Sequence, residues 1–227
     1  MHLQDKMANR DPIKLESVSQ EEVQSFLSSF DTVLTDCDGV LWAGNSPIQG
    51  SPEVINLLRQ AGKKVIYVTN NGTKSRKEYV KKCQDLGFGG DFTDIFTTSY
   101  LCAKYLQQKD FKKKVYLFGN KGVGKELDEA NIAHTGSDPE YEGVTAMTEV
   151  AQSVAEHMST HTDEIGAVIA TYNFHINVAK MAQAASYLDN PEVLFIGTNR
   201  DPKFPYEGSI VLPGIACALS PTYVDDI

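Results

Sequence analysis

The sequence predicts an α/β fold with parallel sheets, arranged as two consecutive units. Short apolar runs alternate with amphipathic segments of helical length along most of the 227 residues. Some of these runs, such as "KKVIYVTNN", are continuously apolar, which is typical of strands buried on both faces of a parallel sheet. Two of the amphipathic segments open with a Ser followed three residues later by a Glu, which is the spacing of a helix capping box.

The first unit is predicted to begin with a helix in "SVSQEEVQSFLSSF", where Ser19 and Glu22 form the first capping box. "DTVLTD" follows as a strand. "SPEVINLLRQAG" is then a helix that Ser51 can cap and that Gly62 can end in a left-handed conformation. The strand "KKVIYVTNN", the helix "SRKEYVKKCQDLG", the strand "DIFTTSY" and the helix "LCAKYLQQK" complete the unit.

A second alternation begins after the lysine-rich segment "KDFKKK". Its predicted strands are "VYLFG", "EIGAVIATY" and "EVLFIGTN", and its predicted helices are "GKELDEAN", "TAMTEVAQSVAEHM" and "INVAKMAQAASYL". We therefore expect one domain over residues 1–109, a second α/β domain over residues 110–213, and a divergent tail over residues 214–227.

The composition limits the classes of function. A formal net charge of -9 argues against nucleic acid as the main partner, because binding to phosphates requires a net-basic face. The sequence has no run of about 18 apolar residues, so we expect no membrane-spanning helix. The N-terminus has no apolar stretch of the length that a signal peptide needs, and a cytoplasmic location is therefore expected.

Two acidic residues end the first strand, in "VLTDCDGVLW". Asp36 and Asp38 would lie at the carboxyl end of a parallel strand, where α/β sheets bind ligands, and Gly39 allows backbone N–H groups to turn toward an anion. A bare Asp-x-Asp pair often consists of two solvated turn residues, but the surrounding motif favours a site. Alternation along the extended segment would turn Cys37 away from both acids, so we expect it to pack in the interior.

A second polar cluster, "VTNN", ends the next strand. Thr69 offers a hydroxyl group, and Asn70 and Asn71 offer amide donors, which suit phosphate oxygens. An ordinary strand-to-loop turn would also accept these residues. Because this cluster follows Asp36 by one β-α-β unit, we interpret the two strand ends as parts of one anion site.

At these residues the sequence resembles the haloacid dehalogenase-like superfamily of phosphatases. Its first motif matches "LTDCDGVLW", and its second matches the Thr of "VTNN". "VTNNGTKSRKEY", "LGFGG", "GTNRDPKFP" and "LPG" are similar to the group of phosphoglycolate, pyridoxal and 4-nitrophenyl phosphate phosphatases. The resemblance covers roughly residues 30 to 214. It implies a Rossmann-like, three-layer αβα core with an inserted α/β cap.

The resemblance also implies Mg²⁺-dependent hydrolysis of a small phosphorylated metabolite. Asp36 would be the nucleophile that forms an aspartyl-phosphate, and Asp38 would be the general acid and base. Mg²⁺ would bind the Asp36 carboxylate and the Asp38 main-chain carbonyl, while Thr69 and Asn70 would hold the phosphoryl group. The expected substrate is 2-phosphoglycolate, with pyridoxal phosphate or 4-nitrophenyl phosphate as alternatives.

The second domain would then be the cap, which covers the pocket and contacts the leaving group. In "TYNFHINVAKM", His175 matches a cap histidine that reaches toward substrate, although an exposed histidine at a helix start is an equal alternative. The cap is also a possible homodimer interface.

One further motif and the end of the sequence leave alternatives open. "GNKGVGKE" satisfies most of the P-loop pattern, but Glu126 stands where a hydroxyl group should meet Mg²⁺, so a glycine-rich turn is favoured over a nucleotide site. After "LPG" the chain runs "IACALSPTYVDDI", without the lysine and the further metal-binding acid of the family pattern. A truncated core is therefore expected, and the alternative function is a non-catalytic form that acts by binding or subunit association.

Overall fold

The structure is a computed structural model of the chain. The predicted tail of residues 214–227 lies outside the residues that it describes. Within the described ranges the chain has the predicted α/β architecture with parallel sheets. The described residues are 18–137, 141, 146–161, 164–173, 175–199, 203–204 and 212–213.

The helices of the described ranges follow the predicted amphipathic segments closely. They are α1 Gln20–Ser28, α2 Ser51–Gln60, α3 Arg76–Asp85, α4 Thr98–Gln108, α5 Lys121–Glu129, α6 Met147–His161 and α7 Val178–Leu188. The strands are β1 Thr32–Thr35, β2 Trp42–Ala43, β3 Ser46–Pro47, β4 Lys64–Thr69, β5 Ile95–Thr97, β6 Lys114–Phe118, β7 His134–Thr135, β8 Ile165–Ala170, β9 Leu194–Gly197, β10 Lys203–Phe204 and β11 Leu212–Pro213.

Both predicted capping boxes are present, at the starts of α1 and α3. Two other boundaries differ from the prediction. The N-cap of α2 is Gly50, which has a φ of 83°, so Ser51 becomes the first helical residue. The Ser51 hydroxyl group instead lies 2.7 Å from the carbonyl oxygens of Leu41 and Ile48. The strand predicted in "DIFTTSY" ends at Thr97, because the Thr97 side chain accepts the N–H of Tyr100 and starts α4.

The first sheet has the order β1-β4-β5, with all pairs parallel. On one face, Val65 and Tyr67 of β4 pack with Ile55 of α2 and Tyr79 of α3 in a buried cluster. Leu34 of β1 is 70% exposed. The carboxyl ends of β1 and β4 lie side by side, which brings the two predicted polar clusters together.

The second sheet has the order β7-β6-β8-β9, again with parallel pairs. Alternate residues of β6 point to opposite faces, as strand geometry requires. Val115 and Leu117 pack with residues of α4 and α5, whereas Tyr116 and Phe118 pack with residues of α7. The second unit is therefore a sheet between two helical layers.

Helix α4 is shared between the two units. Its first turn follows β5 of the first sheet directly, and Cys102, Ala103 and Leu106 belong to the buried cluster of the second sheet. The domain boundary near residue 110 stays a prediction. None of the helices in the described ranges is long and apolar enough to cross a membrane.

Candidate active site

Asp36 lies directly after β1 and is exposed to solvent. One of its carboxylate oxygens, Oδ1, accepts the backbone N–H of Cys37 at 2.8 Å. This contact fixes the carboxylate at the strand end while the group as a whole remains accessible. An accessible carboxylate with a fixed orientation can act as a nucleophile or as a ligand for a hard cation.

The Asp38 carboxylate is partly buried and is held by two groups that sequence reasoning missed. Its Oδ1 accepts the indole N–H of Trp42 at 2.8 Å, and the Lys82 Nζ lies 3.7 Å from the same oxygen. Lys82 also lies over the Trp42 ring, with its Nζ 4.5 Å from the ring centroid. Burial lowers the pKa of Lys82 below its usual value, and the nearby Asp38 charge only partly opposes that effect.

The second strand end supplies two polar groups to the same carboxylate. The Thr69 hydroxyl group lies 3.5 Å from Asp38 Oδ2, and the Asn71 Nδ2 lies 3.4 Å from it. Thr69 is buried, and its Oγ1 also accepts the backbone N–H of Asn71 at 3.1 Å. The structure thus brings together Asp38, Thr69 and Asn71, as the sequence predicted from their places at adjacent strand ends.

Two other predicted phosphate-binding residues have different surroundings. Gly39 has the expected left-handed conformation, with a φ of 83°, but its N–H donates to the carbonyl oxygen of Trp42 at 2.8 Å. Gly39 therefore shapes the turn, and its phosphate-binding role stays a prediction. Asn70 is exposed, and its carbonyl oxygen accepts the Thr98 hydroxyl at 3.0 Å.

Cys37 is fully buried in the cluster that contains Trp42, as expected of a packing residue. Burial is the main cause that raises the pKa of its thiol far above the usual value, and the carboxylates of Asp36 and Asp38 add to that effect. A thiol that remains protonated at neutral pH is a poor nucleophile. Cys37 is therefore a packing residue, and the catalytic roles of Asp36 and Asp38 stay predictions.

The remaining candidates lie in the second unit. His175 is exposed in the segment before α7, where its backbone N–H donates to Asn173 Oδ1 at 2.8 Å. Its role in specificity stays a prediction. The glycine-rich segment that resembled a P-loop forms the turn between β6 and α5, and Lys125 and Glu126 both bind residues of the first unit. These contacts favour the glycine-rich turn over a nucleotide site.

The oxygen donors at the strand ends fit a hard divalent cation. Mg²⁺ in proteins is commonly bound by one or two carboxylates together with substrate phosphates and waters. The Asp36 carboxylate and the Asp38 main-chain carbonyl are oxygen donors of this kind. Within the described residues no group of three or more His, Cys, Asp or Glu side chains could hold a metal ion, and binding of Mg²⁺ by these two donors stays a prediction.

Comparisons with known proteins show which family the chain is similar to. A family model described as "Haloacid dehalogenase-like hydrolase" matches residues 33–133. The chain is 36% identical over 200 residues to the 4-nitrophenylphosphatase of Schizosaccharomyces pombe, covering 86% of this chain and 65% of that protein. It is 35% identical over 207 residues to phosphoglycolate phosphatase 2 of Arabidopsis thaliana, covering 89% and 67%. It is 33% identical over 218 residues to the human glycerol-3-phosphate phosphatase, covering 92% and 66%.

Among solved structures, the fold is similar to that of the p-nitrophenyl phosphatase from Archaeoglobus fulgidus. The TM-score is 0.68 at 24% identity, and the match covers 85% of this chain and 63% of that one. A glycerol phosphate phosphatase from Mycobacterium tuberculosis, solved in complex with magnesium, matches at 22% identity with a TM-score of 0.65, covering 88% and 54%. The chain spans about half to two thirds of the length of the first curated relatives that it matches.

Proposed function

This chain belongs to the haloacid dehalogenase-like hydrolase family, and on that premise we propose that it hydrolyses small phosphomonoesters with the help of Mg²⁺. The observation that carries the proposal is the meeting of two adjacent strand ends. Asp36 is exposed at one of them, and Asp38 of the same strand end lies within 3.5 Å of Thr69 and Asn71 from the other. These groups are a nucleophile, an acid and base, and phosphate donors within one small site.

In the first half-reaction the Asp36 carboxylate attacks phosphorus in line. A bond forms between a carboxylate oxygen and phosphorus, and the bond between phosphorus and the leaving oxygen breaks. Asp38 donates a proton to the leaving oxygen. The exposed position of Asp36 lets a substrate phosphate approach it, while the Cys37 N–H keeps the carboxylate oriented.

In the second half-reaction water attacks the phosphorus of the aspartyl-phosphate. Asp38 now takes a proton from that water, and the bond between phosphorus and the Asp36 oxygen breaks to release phosphate. The Trp42 N–H and the Lys82 ammonium group hold the Asp38 carboxylate in one place through both steps. Asp38 can therefore act from a fixed position as acid and then as base.

The transferring phosphoryl group is bound by donors from the second strand end. Thr69 Oγ1 accepts the backbone N–H of Asn71, and Asn71 Oδ1 accepts the backbone N–H of Thr73. Both side chains are therefore already oriented and lose little conformational freedom on binding. Mg²⁺ held by the Asp36 carboxylate and the Asp38 carbonyl would offset the repulsion between that carboxylate and the phosphate. Inorganic phosphate, which has the same oxygens, should bind in this place as a product inhibitor.

We propose 2-phosphoglycolate as the substrate, since the relatives include phosphoglycolate phosphatases of similar identity. Glycerol 3-phosphate is a second candidate, because several relatives of 31% to 35% identity are glycerol-3-phosphate phosphatases. Both substrates are small anions with a primary phosphomonoester. His175 of the second unit is the residue that we propose to contact the leaving group.

The test is phosphate release from 2-phosphoglycolate, glycerol 3-phosphate and 4-nitrophenyl phosphate with and without Mg²⁺. We expect Mg²⁺-dependent turnover that Asp36→Asn abolishes. Asp31→Asn is the matched control, because Asp31 is an exposed acid just before the same strand. Equal rates for the parent and Asp36→Asn, or no turnover by the parent, would refute the proposal. In the second case the non-catalytic alternative, in which the chain acts by binding or subunit association, would be the remaining explanation.

A further inference from the structure

The loop of residues 70–74, which joins β4 to α3, lies against the second unit. A Cβ atom added to Gly122 of α5 would fall 2.6 Å from the backbone of Thr73 and Lys74. A Cβ atom added to Gly72 would fall 2.8 Å from the Thr171 hydroxyl oxygen, just after β8. The loop that carries Asn71 is therefore in close contact with the second sheet's carboxyl edge and with the first turn of α5.

A buried ion pair joins the end of this loop to α5. The Glu126 carboxylate accepts the backbone N–H of Arg76 at 2.6 Å through Oε1, and the Arg76 Nε at 3.0 Å through Oε2. The Glu126 side chain is 2% exposed, and that of Arg76 is 14% exposed. Glu126 thus satisfies the first backbone N–H of α3 and neutralises the guanidinium group at the same time.

Aromatic rings restrict the guanidinium group further. Its central carbon lies 3.9 Å from the centroid of the Phe92 ring and 3.7 Å from that of the Tyr100 ring. These contacts leave Arg76 little freedom to take another rotamer or another partner. The first turn of α3 is therefore tied directly to Glu126 of α5.

Two exposed ion pairs flank the buried one. Lys125 binds Glu78 at 2.7 Å, and Lys77 binds Glu129. The Lys77 and Glu129 side chains are 67% and 47% exposed, so this pair is expected to contribute little. It provides an internal control, since it joins the same two helices without burial.

We propose that Arg76 and Glu126 are a positioning pair for the phosphate-binding loop. The pair fixes the 70–74 loop between β4 and α5, and through that loop it places Asn71 beside Asp38. The second unit therefore helps to build the phosphate site. The effect of the pair on catalysis rests on the proposed phosphatase function. Its effect on the position of the loop does not depend on that function.

The kinetic test compares Glu126→Gln with Glu129→Gln. Glutamine keeps the size of Glu126 but places an N–H group against the guanidinium group. We expect Glu126→Gln to raise KM and the inhibition constant of inorganic phosphate about tenfold, and to lower kcat/KM about 10- to 100-fold. Glu129→Gln should change each value by less than about twofold. Values for Glu126→Gln that stay within about twofold of the parent would overturn the proposal.

Amide hydrogen exchange tests the positioning without any need for activity. In Glu126→Gln we expect exchange of the 70–74 amides to accelerate at least about fivefold while the amides of β4 keep their protection. Glu129→Gln should leave both regions unchanged. Unchanged loop exchange, or an equal acceleration throughout β4, would overturn the proposal, the latter because it indicates a general loss of stability. If the parent chain lacks activity, the proposed function fails while this comparison still decides the inference.

Discussion

Gly122 offers a stability test of the contact between the two units, through substitution by alanine. Intrinsic helix propensity favours alanine over glycine in α5 by about 1 kcal/mol. The new methyl group, however, would lie 2.6 Å from backbone atoms of Thr73 and Lys74, which cannot move without displacing the loop. Overpacking of this kind commonly costs about 1 to 3 kcal/mol. We therefore expect Gly122→Ala to be less stable than the parent or, at best, equally stable.

Gly124→Ala is the matched control, because Gly124 lies in the same helix and gains the same propensity. Its methyl group would meet the His134 ring at 2.9 Å, and a side chain can move aside more easily than a backbone. The difference between the two variants should thus isolate the contact with the loop, at about 1 to 3 kcal/mol. Urea unfolding followed by the fluorescence of Trp42, the single tryptophan, measures both. If Gly122→Ala is as stable as Gly124→Ala, α5 does not press on the loop.

Three further predictions follow from individual contacts. Trp42→Phe removes the indole donor to Asp38. Because a hydrogen bond to a charged group contributes about 1.5 to 3 kcal/mol, kcat for 4-nitrophenyl phosphate should fall about 10- to 100-fold. A kcat within about twofold of the parent would contradict this role. Burial alone would raise the pKa of Glu78, but the Lys125 ammonium group and nearby donors lower this pKa below 4.5. The contribution of Glu78 to stability is therefore present above pH 4.5 and is lost as pH falls through the lowered pKa. Glu78→Gln should therefore flatten the dependence of unfolding free energy on pH in that acidic range, and an unchanged slope there would show that Glu78 is not its source. Leu34→Lys should change the free energy of unfolding by less than about 0.5 kcal/mol, since Leu34 is 70% exposed. It should also reduce self-association, measured by light scattering. A large loss of stability would mean that Leu34 is buried in solution.

The elements and the strand-end site could be predicted because their signals are local. Ser19 and Ser75 each form the expected capping box, since the glutamate three residues later is part of the same helical turn. Asp38 and Thr69 are distant in sequence, but a parallel sheet aligns the carboxyl ends of its strands, so topology alone predicts their approach. The N-cap of α2 is Gly50 and not the predicted Ser51. Both residue types are suitable at a helix start, so the sequence does not distinguish these neighbouring positions.

The contacts that orient the site could not be predicted in the same way. Lys82 reaches Asp38 from the middle of α3, and nothing in its sequence neighbourhood distinguishes it from the other lysines of that helix. Trp42 carried a weak signal, because it lies four residues after Asp38 within the recognised motif, but its donor role depends on the turn at Gly39. The sequence places Glu126 at the last position of an incomplete P-loop pattern and gives no sign of its actual partner, Arg76, which lies in another unit.

The sharing of α4 bears on how this protein can be dissected and recombined. A fragment that starts at residue 110 would lack the helix whose Cys102, Ala103 and Leu106 are buried against the second sheet. Such a fragment would expose a strip of apolar surface to water and would be a poor candidate for independent expression. Chimeras that exchange the second unit between relatives should therefore join the chains before Thr98, so that the transferred unit keeps its own inner helix.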